Sequence, residues 1–489
     1  MNHILQEDAR DILKQDISWE NFDGKRILIT GAGGMLGSYI SRTILQWKEI
    51  SGNDLELYAL VRHPEKLPED VRDQVKVLRQ SVAEPIQTDV DFHYIIHAAS
   101  PASPLIMRED PVGTIAANTL GAYYTLDLAR RSHAEGYLFI SSREIYGQPY
   151  DDQKEFTEDS YGFVDPLSPR SCYPEGKKAA ETMCASFAQQ YGLNVKVARL
   201  AHTYGPGMSV DDGRVQADFL RDVINDRNIV MKSEGKPIRT YTYVSDAVAA
   251  IFRILLDSDE MVYNISSPES TVSIRELAET LADAYADRDI QVVMDLPKET
   301  KDTGAAPFTL GILNSDRLHN IGWQPQYSLK EGLMRTVQYL ENKLLKNIID
   351  KKLLKFILVG IVNTLVGTAI MFGLYNLAGC SYWVSSAANY VIGSILSYVL
   401  NKKFTFRHRG RIAQSALRFT GNIAVCYLLA YGIAKPAVRA ILTGATQQVQ
   451  ENIAMLAGMI LFTGFNYLGQ RYFVFGEKNE EKTSNRPQV

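Results

Sequence analysis

Two short segments contain residue types that together could bind a dinucleotide and move a proton. Gly31, Gly34 and Gly37 follow an apolar run, a pattern typical of a buried strand that turns sharply into a helix. Glycine at this turn lets a pyrophosphate approach the backbone amides at the start of the helix. Tyr173 and Lys177 are four residues apart, so a helix would place both on one face. An ammonium there would lower the pKa of the phenol and make it a general base.

The composition excludes several classes of protein. A net charge of -4 over 489 residues gives no basic footprint for a nucleic acid, and the length suggests about three domain-sized units. The four cysteines form no CxxC pair and no cluster with histidine, so we expect no disulfide framework and no metal site. Acidic residues and no apolar run precede the first strand, so we expect no cleavable signal peptide and a cytoplasmic enzyme half.

Strand-like and helix-like stretches alternate between the glycine turn and Tyr173. The apolar runs cover residues 55–61, 75–78, 94–97 and 137–141. This rhythm predicts an α/β fold, a Rossmann-type doubly wound parallel sheet with helices on both faces. The third run leads into the sequence HAAS, where small residues such as Ala98 leave room for a cofactor.

Beyond residue 350 the charges thin out and long apolar stretches begin. Four stretches contain no Lys, Arg, Asp or Glu, and most approach the roughly 20 residues that cross a bilayer: 357–377, 383–400, 419–434 and 452–470. They predict an all-α domain of four transmembrane helices in a multi-pass membrane protein. Basic residues before the first span, between the second and third, and after the fourth predict that both termini face the cytoplasm.

This membrane half is an internal duplication. Residues 397–406 align with residues 466–475, and 354–356 echo 417–419, so each repeat is one helical hairpin. Two spans per repeat preserve the orientation, which makes the duplication parallel. Four amides within the spans could contact a lipid phosphate or sugar, or could form interhelical hydrogen bonds: Asn363, Asn389, Asn422 and Asn466.

The ending NKKFTF at 401–406 and the paired hairpins resemble the GtrA-like four-helix membrane family, over about residues 350–476. That family is associated with polyprenyl-phosphate-linked sugars and surface polysaccharides. The resemblance implies the lipid bilayer as a partner and a polyprenyl-phosphate-linked sugar as a further candidate partner.

The glycine turn has the spacing TGxxGxxG, which resembles the short-chain dehydrogenase/reductase superfamily. The match extends to FISSREIYG at 139–147, which resembles the catalytic strand of extended members that act on nucleotide sugars. The resemblance implies that Ser142, Tyr173 and Lys177 form a catalytic triad, in which Ser142 shares a hydrogen bond with the sugar O4 and the tyrosine. It also implies a small C-terminal substrate subdomain and a homodimer.

Longer segments within residues 25–340 resemble the UDP-glucuronate decarboxylases in particular. They are HAASPASP at 97–104, PRSCYPEGKKAAETMC at 169–184 and DGRV at 212–215. In that family the tyrosine takes the O4 proton while C4 gives a hydride to NAD, and the 4-keto acid then loses carbon dioxide. The match implies that Glu144 handles a proton or orients the substrate. It implies further that Arg239 binds the diphosphate and that Arg214 lies at the substrate.

Three positions depart from the decarboxylase pattern, and all concern the substrate. Arg143 stands where the decarboxylases have a small hydroxyl residue and the related sugar 4,6-dehydratases an aspartate, so it could instead hold a carboxylate or phosphate. His202 replaces an asparagine near the substrate, and Gly207 replaces an arginine. Because the triad is intact, we expect the same C4 oxidation with an altered sugar or final step.

The cofactor is predicted to be NAD, with NADP as the alternative. NAD enzymes usually place an acidic residue after the second strand, whereas this chain has Arg62 there, which could bind a 2′-phosphate or stack on adenine. The substrate family favours NAD. The residues expected to bind the cofactor are Gly31, Gly34, Met35, Leu36, Gly37, Arg62, Ala98, Tyr173 and Lys177.

The sequence is predicted to divide into an N-terminal extension (1–24), a nucleotide-sugar epimerase/dehydratase domain (25–345), a GtrA-like membrane domain (350–476) and a polar tail (477–489). The leading interpretation is a membrane-tethered enzyme for surface-polysaccharide synthesis. It would oxidise a nucleotide sugar, expected to be UDP-linked, at C4 and then decarboxylate, epimerise or dehydrate it. The alternative is a lipid-linked-sugar translocation protein whose soluble half senses nucleotide sugars.

Overall fold

The computed structural model describes residues 2–150, 153–296, 308, 310–348, 351–380, 392–393, 395–405, 412–444 and 446–474. The chain forms two compact units, Met1–Asn342 and Lys343–Val489. The described part of the first unit contains strands and helices, and that of the second contains helices, so the predicted fold classes are confirmed.

The elements of the first unit are numbered in chain order over its described residues. The strands are β1 (Arg26–Thr30), β2 (Glu56–Val61), β3 (Lys76–Arg79), β4 (Tyr94–His97), β5 (Gly136–Ser142), β6 (Gln148–Pro149), β7 (Gly162–Phe163), β8 (Val195–Leu200), β9 (His202–Tyr204), β10 (Ile229–Met231), β11 (Ile238–Tyr243), β12 (Val262–Ile265), β13 (Thr271–Ser273) and β14 (Val292–Met294). The helices are α1 (His3–Leu13), α2 (Met35–Ser51), α3 (Glu69–Arg72), α4 (Pro104–Glu109), α5 (Pro111–Arg131), α6 (Cys172–Tyr191), α7 (Val215–Val223), α8 (Val244–Asp257), α9 (Ile274–Ala284), α10 (Asp316–His319) and α11 (Leu329–Ile348).

Seven parallel strands form the central sheet, in the order β12-β8-β5-β4-β1-β2-β3. The four predicted apolar runs coincide with β2 to β5 to within one residue at either end. The chain leaves β1 towards β2 and β3 and then returns to β4 on the other side of β1. A crevice opens at the carboxyl ends of the strands at such a reversal, and ligands bind there in doubly wound sheets.

The central strands are apolar on both faces because helices cover both. In β1, Ile27 and Ile29 pack into a cluster with α2 and α8, while Leu28 between them packs with α5 and α6 on the opposite face. This explains why the run is continuously apolar rather than alternating. The first unit therefore buries β1, and with it the glycine turn, in the middle of the layers.

Smaller sheets follow the sixth strand of the central sheet in the sequence. One has the order β13-β11-β9, and β10 pairs with β14. In the first of these, His202 on β9 is the register partner of Tyr241 on β11. Residues that were predicted to bind the substrate, namely His202 and Arg239, are therefore on neighbouring strands.

The second unit is helical where it is described. Its helices are α12 (Lys351–Asn376), α13 (Ile412–Ile441) and α14 (Gln447–Gly469), with π-helical segments at Asn401–Thr405 and Gln470–Val474. Among the described residues, one helical segment is long and apolar enough to cross a membrane, namely Leu417–Ile441 within α13. The segment Lys355–Val366 within α12 is apolar but shorter. More than half of the predicted second span lies outside the described residues, so four spans stay a prediction.

One pair of the predicted amides bonds between helices. The Asn422 Nδ2 on α13 donates to the Asn466 Oδ1 on α14 at 2.9 Å. The interhelical alternative therefore applies to this pair, whereas Asn389 lies outside the described residues.

The N-terminal stretch, which the sequence sets apart as an extension, packs into the first unit. Helix α1 contacts α2 and α8. Its Asp8 is fully buried and accepts hydrogen bonds from the Tyr39 hydroxyl (2.7 Å), the Tyr243 hydroxyl (2.9 Å) and the Arg335 guanidinium (2.7 Å). One carboxylate thus joins α1 to α2, to the end of β11 and to α11.

Replacing Asp8 by alanine is expected to destabilise the first unit by about 3 kcal/mol, because two buried hydroxyls and a guanidinium lose their common acceptor. Thermal unfolding of the full chain in detergent, followed by tryptophan fluorescence, measures this. Asp16→Ala, at an exposed position beyond α1, is the control. An unfolding temperature unchanged by Asp8→Ala would show that this carboxylate does not hold the N-terminal helix in place.

Candidate active site

The turn between β1 and α2 brings backbone amides to the carboxyl edge of the sheet. Gly31 has a φ of +72°, and a Cβ atom there would lie 2.8 Å from the Ala99 Cα. A Cβ atom on Gly37 would overlap the Gly31 carbonyl oxygen. Neither position accepts a larger residue without movement of the backbone, so β1, α2 and the end of β4 pack directly against one another.

A cavity of about 280 Å³ opens beside this turn. The predicted site residues that line it are Gly31, Gly34, Met35, Leu36, Gly37, Ala98, Ser142, Arg143, Glu144, Tyr173, Lys177, His202 and Arg214. Its remaining walls are small or apolar residues at the ends of β4, β5 and β8. The first turn of α2 thus presents its backbone to the cavity without intervening bulk, which fits a pyrophosphate at a helix N-terminus.

Three side chains with the chemistry of a proton-transfer site meet in this cavity. Ser142 ends β5, and Tyr173 and Lys177 lie on the first two turns of α6. The Lys177 ammonium donates to the Ile140 carbonyl oxygen at 2.6 Å. It also lies 4.5 Å from the centroid of the Phe139 ring and 5.8 Å from that of Tyr173. Strand β5 therefore positions both the hydroxyl and the ammonium.

Burial is the largest influence on the pKa of Tyr173 and on that of Lys177. It raises the pKa of Tyr173 to about 12, with a further contribution from Glu144, while the hydrogen bond with Ser142 acts in the opposite direction. It lowers the pKa of Lys177 to about 7, against the favourable charge of Glu181. The expectation from the Tyr-Lys spacing, a phenol of depressed pKa, is therefore wrong for the chain alone, because desolvation outweighs the nearby charges.

Glu144 forms an ion pair with Arg170 that engages both of its carboxylate oxygens. The Arg170 Nη2 donates to both of its carboxylate oxygens at 3.0 Å, and both side chains are largely buried. Glu144 lies two residues after the end of β5 and lines the cavity, whereas Arg170 lies two residues before α6. The arginine thus fixes the orientation of a carboxylate that the sequence placed at the substrate.

Arg143 and His202 both line this cavity, and each has a buried polar atom without a hydrogen-bond partner among the described residues. Arg143 is only 3% exposed, and its Nη1 donates to the Leu310 carbonyl oxygen at 3.2 Å. Among the described residues, nothing hydrogen-bonds its buried Nε or the buried His202 Nδ1. Burial lowers the pKa of Arg143 to about 10, and burial together with Arg143 and Arg239 holds the pKa of His202 well below its usual value.

The two other arginines that were predicted to contact the substrate, Arg214 and Arg239, differ in their position relative to the cavity. Arg214 lines the cavity and forms an ion pair with Asp212. Arg239 is not among the lining residues, but its charge acts on both Arg143 and His202. Its Nη2 donates to the Phe308 carbonyl oxygen at 2.9 Å, and burial lowers its pKa.

A second cavity of about 400 Å³ is lined by residues that follow Arg214 in the sequence. Val215, the residue after Arg214, lines it together with the apolar Phe219 and Met231 and the basic Arg221 and Arg227. Arg221 pairs with Asp218 and Arg227 with Asp222, and both carboxylates belong to the same lining, so the cavity offers apolar surface beside two ion pairs.

Two further predictions can be placed. Arg62 is exposed, directly after β2, and does not line either cavity. No cluster of three or more potential metal ligands occurs among the residues that the structure describes.

Sequence reasoning missed Glu181, whose charge favours the ammonium form of Lys177. The Glu181 Oε1 accepts a hydrogen bond from the Ser141 hydroxyl at 2.5 Å, and Arg199 on β8 forms a two-point ion pair with the same carboxylate. Glu181 follows Lys177 by four residues on α6, so the helical spacing could have indicated it. The sequence could not show that Ser141 and Arg199 would meet it.

Two parts of the chain match known protein families. Residues 27–266 match the NAD dependent epimerase/dehydratase family, and residues 355–475 match the GtrA/DPMS transmembrane domain. UDP-glucuronic acid decarboxylase 6 of Arabidopsis thaliana is 32% identical over 63% of this chain and 86% of its own length. UDP-glucuronic acid decarboxylase 1 of Danio rerio is 32% identical over 66% of this chain and 74% of its own length.

Solved structures share the fold of the first unit. A UDP-glucose 4-epimerase of Thermus thermophilus, in complex with NAD, is 25% identical with a TM-score of 0.52, over 64% of this chain and 98% of its own. A UDP-glucose 4-epimerase of Thermotoga maritima with UDP-glucose is 24% identical with a TM-score of 0.56, over 65% and 99%. The chain therefore belongs to the NAD dependent epimerase/dehydratase family and carries a GtrA/DPMS transmembrane domain at its C-terminal end.

Proposed function

We propose that the first unit oxidises the C4 hydroxyl of a nucleotide sugar and then decarboxylates the product, with UDP-glucuronate as the expected substrate. The convergence of Ser142, Tyr173 and Lys177 on one cavity, beside a turn that requires glycine, carries the proposal. The decarboxylases similar to this chain match it along most of their own length, which supports the substrate. Epimerisation and dehydration begin with the same C4 oxidation.

Each member of the triad would have a distinct task in the oxidation. Tyr173 would take the proton of the O4 hydroxyl, and the Ser142 hydroxyl would hold O4 in line with the phenol oxygen. Lys177, anchored on the Ile140 carbonyl, would stabilise the phenolate from the buried side. NAD, when bound, would accept the hydride from C4 and later return it.

The following step needs little from the protein beyond orientation. A C4 ketone is β to the C6 carboxylate, so the C5–C6 bond can break with its electrons moving towards the ketone oxygen as carbon dioxide leaves. A proton must then reach C5. Glu144 lies at the cavity in a fixed orientation on Arg170, so we propose that it orients the sugar or handles this proton.

We assign the sugar carboxylate to Arg143. A buried polar atom without a partner is costly, so a ligand that completes the Arg143 Nε would be bound favourably. The Nε and an Nη of a guanidinium can hold a carboxylate through two parallel hydrogen bonds. His202, on strand β9, would supply one further polar contact.

The remainder of a nucleotide sugar would extend from Arg214 into the second cavity. Arg214 and Arg239 would contact the diphosphate, as their sequence context implies. Phe219 and Met231 offer apolar surface for a nucleoside. Arg214 lines the first cavity and the next residue, Val215, lines the second, which supports this path.

For the cofactor we propose NAD rather than NADP. Arg62 is exposed after β2, outside both cavities, which suits stacking on an adenine at the surface as well as a contact with a 2′-phosphate. The family description and the NAD complex of the Thermus epimerase favour NAD.

We propose that the membrane domain spans the bilayer four times with the enzyme domain on the cytoplasmic side. The GtrA/DPMS match over residues 355–475 and the apolar helix Leu417–Ile441 support this arrangement. The domain would place the enzyme beside lipid-linked sugars, including polyprenyl-phosphate-linked ones, during surface-polysaccharide synthesis.

We also propose a homodimer through the enzyme domain. Helix α5 exposes a series of apolar side chains at helical spacing, namely Val112, Ile115, Leu120 and Tyr123. A second copy of the chain would remove this surface from water, because helix faces of this kind pack on one another.

The proposed reaction predicts that the full chain in detergent, incubated with NAD and UDP-glucuronate, releases carbon dioxide and forms a UDP-pentose. Mass spectrometry of the products, with UDP-glucose and UDP-N-acetylglucosamine in parallel, checks this. Tyr173→Phe is expected to lower turnover at least 1000-fold while NAD binding persists, because the proton acceptor is lost and the cradle is intact. An isomerised or dehydrated product would assign a different last step, and undiminished turnover by Tyr173→Phe would contradict the mechanism.

Arg143→Met is expected to raise the KM for UDP-glucuronate by about 10- to 100-fold, since a charged two-point contact of about 1.5–3 kcal/mol is lost. The affinity for UDP-glucose, which lacks the carboxylate, should change little. Steady-state kinetics and a competition assay measure the two effects. Arg79→Met, on the exposed strand β3, is the control. Equal losses for both nucleotide sugars would exclude Arg143 as the carboxylate contact.

Glu181→Gln is expected to shift the alkaline limb of kcat/KM to lower pH by about one unit, the size typical of a lost neighbouring charge. Burial already lowers the pKa of Lys177 to about 7, and the Glu181 carboxylate opposes that effect. Without it the pKa falls further, so the ammonium is lost at lower pH. Glu175→Gln, at a half-buried carboxylate on the same helix, should leave the limb in place. An unshifted profile in a folded Glu181→Gln variant would contradict this role.

A further inference from the structure

The Lys177 ammonium lies over the ring of a buried phenylalanine. Phe139 is fully buried, Lys177 is 2% exposed, and the Nζ atom lies 4.5 Å from the ring centroid. The face of an aromatic ring carries partial negative charge and attracts a cation within about 6 Å, most strongly where water is excluded. The ring therefore stabilises the charge that burial of this lysine disfavours.

Neighbouring residues of β5 supply two contacts to the ammonium. Phe139 belongs to the buried cluster that includes Ala180 of α6, the helix that carries Lys177. The carbonyl of the next residue, Ile140, accepts one N–H at 2.6 Å. Because an ammonium has three N–H groups, the carbonyl and the ring can hold its position and leave a third N–H for the Tyr173 phenol or the cofactor.

The aromatic neighbour of Phe139 on β4 is a neutral histidine. His97 is the register partner of Phe139, and the two rings stack with centroids 5.6 Å apart. The Ala99 amide donates to the Thr30 hydroxyl oxygen, and we assign the hydroxyl proton to the His97 Nδ1, 2.7 Å away. Burial and the charge of Lys177 lower the pKa of His97 to about 3. The histidine therefore brings no second cation to the Phe139 ring.

Titratable groups face the ammonium from α6 and from β4. They are Tyr173, Glu181 and Cys184 on the helix and His97 on the strand. Burial raises the pKa of Tyr173 to about 12 and that of Cys184 well above its usual value, so both are neutral near pH 7. Glu181 then supplies an opposing charge, whereas Phe139 supplies a contact that does not titrate.

We propose that Phe139 is a positioning residue, whose ring holds the Lys177 ammonium charged and in place beside Tyr173. An aliphatic side chain would fill the same space in the core without attracting the cation. The inference rests on the role assigned to Lys177 in the proposed function, but the ring contact can be measured without turnover.

Fluorinated analogues of phenylalanine test the contact with little change of shape. Fluorine withdraws electron density from the ring face, so it weakens the attraction for a cation without opening a cavity. The full chain in detergent, with ¹³C at the lysine Cε atoms, would carry the analogue at Phe139 alone, and Lys177→Arg would identify the NMR signal. Trifluorophenylalanine is expected to raise the acid dissociation constant of Lys177 about tenfold, and monofluorophenylalanine by less.

The matched control is trifluorophenylalanine at Phe92. This residue is buried in the same cluster as Phe139, and its ring packs edge-on against Tyr58, with centroids 5.1 Å apart. It should leave the pKa of Lys177 in place, whereas Phe139→Leu should lower it in the same direction as the fluorinated ring. An unchanged pKa with trifluorophenylalanine at Phe139, or an equal change from position 92, would overturn the proposal.

Turnover as a function of pH connects the contact to the reaction. The alkaline limb of kcat/KM should move to lower pH by the same amount as the pKa measured by NMR, because both follow the Lys177 ammonium. A lower NMR pKa with an unmoved limb would overturn the positioning role. Failure of the unmodified chain to convert UDP-glucuronate counts against the proposed reaction alone, since the NMR titration needs no substrate.

Discussion

The close approach of three backbone segments at the middle of the sheet determines the rest of the enzyme unit. Gly31 and Gly37 leave no space for side chains between the end of β1, the start of α2 and Ala99 after β4. The Thr30 hydroxyl fastens the same junction, because it contacts the His97 Nδ1 at 2.7 Å and accepts from the Ala99 amide at 3.1 Å. This contact sets β1 beside β4, and it sets the amides of α2 at the mouth of the crevice.

The chemistry of the site follows from where that junction places β5. Strand β5 pairs with β4, so its end delivers Ser142 to the crevice and its Ile140 carbonyl receives the Lys177 ammonium. Burial lowers the pKa of that lysine, and with the opposing charge of Glu181 included the pKa is about 7. The Ile140 carbonyl accepts its hydrogen bond, and the Phe139 ring lies 4.5 Å from its ammonium. The site therefore depends on a balance between desolvation and a few oriented partners, rather than on the Tyr-Lys pair alone.

The sequence predicted the features that local patterns encode. The continuous apolar runs gave β2 to β5 to within one residue, and the glycine spacing gave the turn, because both reflect contacts within a few residues or burial on both faces. The spacing of Tyr173 and Lys177 placed both on α6. Their pKa values did not follow from spacing, since desolvation depends on how every neighbouring element packs.

Partners that are distant in the sequence were not predictable in the same way. Arg170 lies 26 residues from Glu144, and nothing in either segment shows that they form an ion pair. Arg143 and His202 were singled out because each departs from a family pattern, and the structure adds that the charge of one acts on the other. The membrane spans were read from composition, which finds apolar length but not the number of helices that cross.

The packing of the N-terminal helix shows how the two ligand-facing sides of the enzyme unit are held together. Tyr39 lies on α2, the helix that begins at the glycine turn, whereas Tyr243 ends β11, the strand that carries Arg239 and pairs with the strand of His202. Both hydroxyls donate to the one Asp8 carboxylate, and Arg335 supplies the opposing charge. A movement of α2 away from the end of β11 would break these bonds and leave buried polar atoms without partners. The N-terminal helix therefore joins the two elements through a carboxylate that lines neither cavity.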